Sequence, residues 1–266
     1  MYFSRDIISS LDSLFHIIRL RNYSSAISND DRIKYEQILA YLEVIDSEVN
    51  KLSSKKKLIF VESAAGNCYL SFLLYYFYTN MCYRPIEVHC IDSNEKLMNN
   101  CRVIAETLSL MDMNFHAMDI NDFCIETDID FAYSLHACDT ATDKALYLGI
   151  RKNARCIHSV CCCQETATKR FKSTTLKGIA RYKALKEKLV YIVVDAMRAQ
   201  LLGNRGYHVD IFEFISTRIT NKNIMLRARK DNNKREQNIE DDYVRLKDGF
   251  SIEPELAHYL SISSLT

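Results

Sequence analysis

Glycine is scarce in this chain: its 266 residues hold six, and Gly66 is the only one among the first 148. A dinucleotide-binding loop of the G-x-G-x-x-G kind needs three glycines close together, so that the backbone can turn tightly and approach a pyrophosphate. No such stretch exists, which argues against a nicotinamide or flavin dinucleotide. Long apolar runs are missing too. The longest, near Phe72–Phe77, is far too short to span a bilayer, and the acids inside MYFSRDIISSLDSLF are foreign to a signal peptide. Net charge is nearly absent at +1, so composition by itself makes no case for a nucleic-acid partner. Ten cysteines are present, but without the regular spacing of a disulfide framework, in a chain that is 48% hydrophobic. Reduced thiols are expected, in a soluble cytoplasmic protein with no membrane partner. No internal repeat is visible.

What is present begins with two helical stripes. Ile7, Leu11, Leu14 and Ile18 form one, and Ile38, Leu42, Ile45, Val49 and Leu52 the other, with Asn29-Asp30-Asp31 offering N-cap chemistry. They define an N-terminal helical extension over residues 1–54. After the basic spacer Lys55-Lys56-Lys57 the rhythm changes. Strands are expected at Leu58–Val61, Ile86–Ile91, Asn114–Met118, Phe131–Leu135 and Cys156–Val160. Helices over Tyr69–Tyr83, Leu97–Leu108 and Ala141–Ile150 lie between them, and a long helix follows through Leu185 and Ala199. Strands that alternate with helices imply a parallel sheet covered on both faces. Tyr207–Ile215 and Ile224–Arg229 are joined only by STRITNKN, too short for a parallel crossover, so they should pair antiparallel. The expected fold is α/β and Rossmann-like, over residues 55–230. Residues 231–266 are read as a charged linker, KDNNKREQNIEDDY, and a segment that packs back.

The lone early glycine follows the first strand, where open α/β sheets bind ligands. Glu62, Ala64, Gly66 and Asn67 lie in this loop. Asp92 ends the second strand, where a carboxylate can accept ribose hydroxyl protons; Asp119, followed by Ile120, ends the third, where one can take an adenine amino group. One close backbone approach suits the amino-acid half of S-adenosylmethionine better than a pyrophosphate. With His136, these residues form the candidate cofactor set.

Two further motifs end the fourth and fifth strands, FAYSLHACDTATDKAL and HSVCCCQE. His136, Asp139, Asp143, Cys162 and Gln164 are the candidate catalytic residues, while Thr140 and Thr142 suit a helix start. A hydrogen-bonded structural role for His136 is the competing reading, because a base is defined by its geometry. Cys161, Cys162 and Cys163 can be imagined as metal ligands with Cys138 or His158, yet adjacent cysteines are not the spacing of a zinc knuckle, and no metal is expected. A cysteine nucleophile, as in pyrimidine C5 methylation, lacks a general base at an obvious spacing.

LHACDTATDKAL, CCCQE, DAMRAQLLGNRGYHVDIFEFI and TNKNIMLRA together resemble a methyltransferase-domain family of methyltransferase-like proteins, over roughly Lys55–Lys230. The first motif and the cysteine pair are also similar to those of the eukaryotic tRNA 2′-O-methyltransferases that modify the acceptor stem. The resemblance implies a class I methyltransferase fold, with a mostly parallel seven-stranded sheet ending in an antiparallel hairpin. It also implies S-adenosyl-L-methionine as cofactor, bound through Glu62, Gly66, Asp92 and Asp119. The chain departs from the pattern at Ala64 and Cys68, where glycines are commoner, and carries Gln164 where the tRNA enzymes have histidine.

Charge is unevenly distributed. Arg151 to Arg198 holds 12 Lys/Arg and 3 Asp/Glu, a local net of +9 in a chain of net +1. Such a cluster is the electrostatic footprint of a phosphate backbone, so RNA, tRNA included, is the expected partner. The absence of an N-P-P-Y-like motif after the fourth strand argues against methylation of a base's exocyclic amine. A small-molecule or protein acceptor, and a silent cofactor- or partner-binding domain, stay open as alternatives.

Overall fold

The computed structural model describes residues 3–22, 28–174, 176–231 and 241–263; most of the expected charged linker, residues 232–240, lies outside them. Two compact units share the chain. The first takes the chain up to Phe131 with Glu213–Ile224, and the second takes Ala132–Phe212 with the chain from Met225.

In the first unit, α1 (Arg5–Asn22) buries Leu11, Leu14, Phe15 and Ile18, the three-and-four spacing of one helix face. It packs on α3 (Tyr69–Tyr76) and α4 (Glu95–Thr107). α2 (Asn29–Val49) is capped by Ser28, one residue before the expected Asn29-Asp30-Asp31. The Ser28 hydroxyl accepts the Asp31 N–H at 3.2 Å while the Asp31 carboxylate accepts the Ser28 N–H at 2.9 Å, a reciprocal box that satisfies two orphan donors. The same carboxylate accepts from the buried Arg19 guanidinium at 3.0 Å, which ties α1 to α2 and holds the Asp31 carboxyl well below the usual range.

β1 (Leu58–Ser63) pairs in parallel with β2 (Ile86–Asp92), from Leu58 opposite Ile86 to Ser63 opposite Ile91, and β2 with β3 (Met113–Ala117). This register sets the loop after Ser63 beside the tip of β2. The helix expected over Tyr69–Tyr83 changes pitch: beyond Tyr76 the chain takes a π turn, Phe77–Met81, with the Cys82 N–H donating to the Phe77 carbonyl at 3.0 Å. The widened turn carries Tyr78, whose hydroxyl donates to buried Asp46 of α2 at 3.2 Å.

In the second unit, β4 (Phe131–Ala137) leads to α5 (Thr140–Arg151) and β5 (Cys156–Cys161). The Ser134 and Ser159 hydroxyls bond each other at 2.9 Å between these strands. Gly149 lets α5 lie close on β5, since a Cβ there would stand 2.7 Å from the Ile157 side chain. α6 (Glu165–Arg170), α7 (Lys177–Ala180) and the long α8 (Lys183–Asn204) follow, then β6 (Tyr207–Glu213) and β7 (Ile224–Lys230). β7 runs antiparallel to β5, with Cys156 opposite Arg229. α9 (Asp241–Phe250) packs on α8, and α10 (Glu255–Ser263) on α5, where Tyr259 stacks on Tyr147 with centroids 5.3 Å apart.

The strands are ordered β3-β2-β1-β4-β5-β7-β6, a mostly parallel seven-stranded sheet closed by an antiparallel hairpin, as the alternation and the short 216–223 connection imply. All ten cysteines are free thiols. Among the described residues, no helix is long and apolar enough to cross a membrane.

Candidate active site

The loop after β1 has a left-handed backbone at three of five positions: Ala64 and Gly66 at φ +54°, and Cys68 at φ +55°. Only glycine adopts such angles without strain. Ala64 and Cys68 take positive φ without being glycine. A Cβ at Gly66 would meet nothing within 4 Å, so its backbone faces open space. The loop is anchored by the Ala65 N–H on the Ile91 carbonyl at 3.0 Å and by the Cys68 N–H on Ala65 at 2.8 Å. Cys68 and Cys101 direct their thiols to the Gly66 carbonyl from beneath.

Asp92 joins this loop to β2. One carboxylate oxygen accepts the Gly66 N–H at 2.9 Å and the other the Asn94 N–H at 2.9 Å, leaving each a lone pair for a ligand. Asp119 caps the 3-10 turn Ile120–Asp122, accepting the Asn121 N–H at 2.9 Å, with Ile120 buried in the turn. Asn67 is half-buried in the β1 loop. Glu62 is buried and accepts a short hydrogen bond from the Ser71 hydroxyl of α3. Burial, against the opposing pull of Ser71, pushes its carboxyl up to about 8. A carboxylic acid of that kind is largely neutral at pH 7.

In the second unit, the loop after β4 is held by three side chains. His136 is the last strand residue but one, at φ +67°, and its carbonyl accepts from the thiols of Cys138 and Cys162. Asp139, at φ +51°, accepts the Thr166 N–H at 3.1 Å and a short bond from the Thr166 hydroxyl, while its own N–H donates to the Cys163 carbonyl at 3.2 Å. It therefore fastens the β4 loop to the start of α6. Asp139 also occupies the N-cap position of α5, without a side-chain cap bond, and the helix starts at Thr140 as expected; the Thr142 hydroxyl donates back to the Ala137 carbonyl at 2.7 Å.

Asp143 differs most from its expected role. It is buried, and its two oxygens accept from Nε and Nη2 of Arg198 at 2.9 Å each. Arg198 is 1% exposed and also donates to Asp195 at 3.1 Å and to the Asp139 carbonyl at 3.3 Å. Burial lifts the Asp195 carboxyl above its ordinary range despite Arg198. Gln164 is buried and donates to the Cys161 thiol at 3.2 Å and to Asp195 at 3.4 Å. So Asp143 and Gln164 brace the loops rather than face a substrate. Cys162 lies 2.6 Å from Cys138, sulfur to sulfur, and burial together with Cys138 pushes the Cys163 thiol up to about 11.

The cofactor candidates other than His136 are thus gathered in the first unit, and the catalytic candidates in the second. Arg198, Asp195, Thr166 and Ser71 escape a reading of motifs. The one available signal is Asp195 and Arg198 at helical spacing inside the apolar stretch of α8.

A family model described as a methyltransferase domain matches residues 33–170, from within α2 to the end of α6. With just over half of the chain matched, the chain belongs to this family. By class it is a methyltransferase-domain protein. No curated protein sequence matches it. Among solved structures, it is similar to the citrinin polyketide synthase CMeT domain at 14% identity and a TM-score of 0.48, over 73% of this chain and 52% of that one. It spans about half the length of that protein. It is also similar to magnesium protoporphyrin IX methyltransferase from Synechocystis PCC 6803 with bound SAH, at 15% identity and a TM-score of 0.48, over 85% of this chain and 97% of the other. An rRNA methylase from Streptococcus thermophilus is similar at 12% identity and a TM-score of 0.44, over 78% and 99% of the two chains.

Proposed function

We propose that this chain methylates an oxygen or nitrogen of an RNA, of tRNA-like form, from S-adenosylmethionine. When bound, the cofactor supplies an electrophilic methyl group on a sulfonium. The β1 loop fits it: open space beside the Gly66 backbone, and the remaining lone pairs of Asp92 for ribose hydroxyls. Asp119 and Ile120 stand just past the end of β3, and on this reading they take the adenine. The chain's own contribution is alignment and exclusion of water, which can supply about 7–11 kcal/mol. His136 orients the acceptor and takes its proton. Asp139 and Asp143 are positioning residues that hold the His136 loop through Thr166 and Arg198.

The observation that supports RNA is a groove of about 590 Å³ lined by Lys172, Lys177, Lys186, Ser173 and Thr174 together with Asp248. Among the described residues, Lys172 and Lys177 make no ion pair, whereas Lys169 pairs with Glu165 at 2.6 Å and Arg170 with Glu255 at 3.4 Å. Beside the groove, half-exposed Tyr182 carries the Arg181 guanidinium over its ring at 4.6 Å, a stacking platform of the kind single-stranded bases use.

The test is methyl transfer to bulk cellular RNA across a salt series. Lys172→Glu and Arg181→Glu should weaken RNA binding and lower the log–log salt slope by about 0.7 for each lost phosphate contact. His136→Ala should cut turnover by about 10²–10⁴-fold with cofactor affinity unchanged. Groove variants that match the wild type at every salt concentration would sink the RNA reading and leave a protein or small-molecule acceptor.

A further inference from the structure

The cysteine run does not act as three neighbours in a row. Cys161 turns its thiol to the Cys163 carbonyl at 3.0 Å and receives the Gln164 amide, so it faces away from the other two. Cys138, from the loop after β4, takes its place. The sulfurs of Cys138, Cys162 and Cys163 all lie within 4.8 Å of one another, with Cys138 exposed and the other two half-buried. His158 lies buried within β5 and is not part of this group.

Tetrahedral zinc binds thiolates at about 2.3 Å, which sets sulfurs about 3.8 Å apart. Cys138 and Cys162 stand closer than that, at 2.6 Å, and every pair of the trio lies within 4.8 Å, so seating the ion requires that pair to open by about 1.2 Å. The two loops that carry it are fixed by bonds the thiols do not make, namely Asp139 to Thr166 and the Asp139 N–H to the Cys163 carbonyl. A frame held independently of its ligands is what a metal site requires.

We propose that Cys138, Cys162 and Cys163 form a three-thiolate site for a soft divalent cation of the zinc class, with a fourth position open to water or to an acceptor atom. Thiolate ligands select zinc over harder ions, and three protein ligands with one open place are the pattern of reactive rather than closed structural sites. The expectation of no metal rested on the adjacency of Cys161–Cys163. The fold supplies the third sulfur from another strand's loop. Binding releases the thiol protons to solvent and changes no oxidation state.

The experiment uses the full chain, reduced and freed of metal by chelation, titrated with cadmium as a spectroscopic probe and with zinc as competitor. One equivalent of cadmium should raise a sulfur-to-metal charge-transfer band, and zinc should displace it. Cys138→Ser and Cys163→Ser should weaken binding by at least about 100-fold, beyond what loss of an outer partner typically costs. Cys82→Ser, at an exposed thiol in the first unit, should change nothing. Should the serine variants misfold, X-ray absorption of zinc-loaded wild type settles the point by showing three sulfur neighbours. No band at one equivalent, fewer than three sulfur ligands, or binding undiminished in both serine variants would overturn the proposal. So would a Cys138–Cys162 disulfide forming in air in a chain that takes up no cadmium.

Discussion

Replacing Asp92 by Asn tests the cofactor half of the site, because the change keeps the shape and removes the charge. Asp92 accepts two backbone N–H groups, from Gly66 and Asn94, both at 2.9 Å. An asparagine has one oxygen, so it can serve only one of them and must turn its own amide donors toward the other. The Gly66 bond is part-buried and charge-assisted, worth about 1.5–3 kcal/mol, whereas the Asn94 bond is exposed and water replaces most of it. The asparagine oxygen can keep the Gly66 bond as a neutral one, so a loss of about 1–1.5 kcal/mol in folding stability follows, the difference between a charge-assisted and a neutral bond. If the carboxylate also meets the ribose, the lost charge-assisted bonding there costs about 1.5–3 kcal/mol in binding, which is about 10- to 150-fold in affinity. Urea denaturation followed by circular dichroism measures the first quantity. Calorimetric titration with S-adenosylhomocysteine, below the unfolding transition of both proteins, measures the second. A variant that is destabilised yet binds within two-fold of the wild type would reduce Asp92 to a strap for the loop and refute its contact with the ligand. Unchanged stability would refute the strap.

Glu62→Gln should reverse sign with pH. The folded carboxyl sits at about 8 against an ordinary 4.5, so its contribution to stability is full below 4.5 and is lost as pH rises toward 8. Denaturation midpoints should show the substitution neutral or costly at pH 5 and stabilising at pH 8. Arg198→Met should cost about 3–5 kcal/mol by leaving Asp143 and Asp195 buried without their cation, and Arg198→Lys should recover little, since a point charge cannot reproduce the paired bonds to Asp143. A lysine variant as stable as the wild type in urea would contradict this account. Ala64→Gly should be neutral or mildly stabilising in thermal melts, although the same change in an ordinary extended segment costs about 0.5–1 kcal/mol, because it relieves a left-handed alanine. A loss above about 1 kcal/mol would show that Ala64 is not strained.

Periodic features of the fold were legible because they depend on neighbours in sequence. The alternation from β1 to β5, the hairpin implied by a short connection, and acids at strand tips all follow from local pattern, and most element ends fall within a residue or two. The features that escaped depend on distant pairing. Asp143 meets Arg198 across 55 residues and Asp139 meets Thr166 across 27, and no spacing rule connects them. Ser28 is hidden as a cap in the sequence because Asn29, Asp30 and Asp31 follow it, yet the last of these serves it as partner. The pitch change after Tyr76 answers to a hydroxyl that reaches another helix, which the apolar pattern of α3 does not encode. At Ala64 and Cys68 the sequence lacks the residue that announces positive φ, so the backbone there is visible only in three dimensions.

α8 has a consequence for the scale of what this protein can engage. Its 22 residues make a rod about 33 Å long at 1.5 Å per residue. Lys186 near its start lines the basic groove, while Arg198, 12 positions on, grips the loop that carries His136. The two points are therefore about 18 Å apart along a stiff axis. On the RNA reading proposed above, that interval is a gauge: a ligand anchored in the groove would bring to His136 whatever lies one fixed span away. Under that proposal discrimination would read length and curvature, not letters, and lengthening α8 by one turn should move the modified position along the ligand without changing which ligand is held.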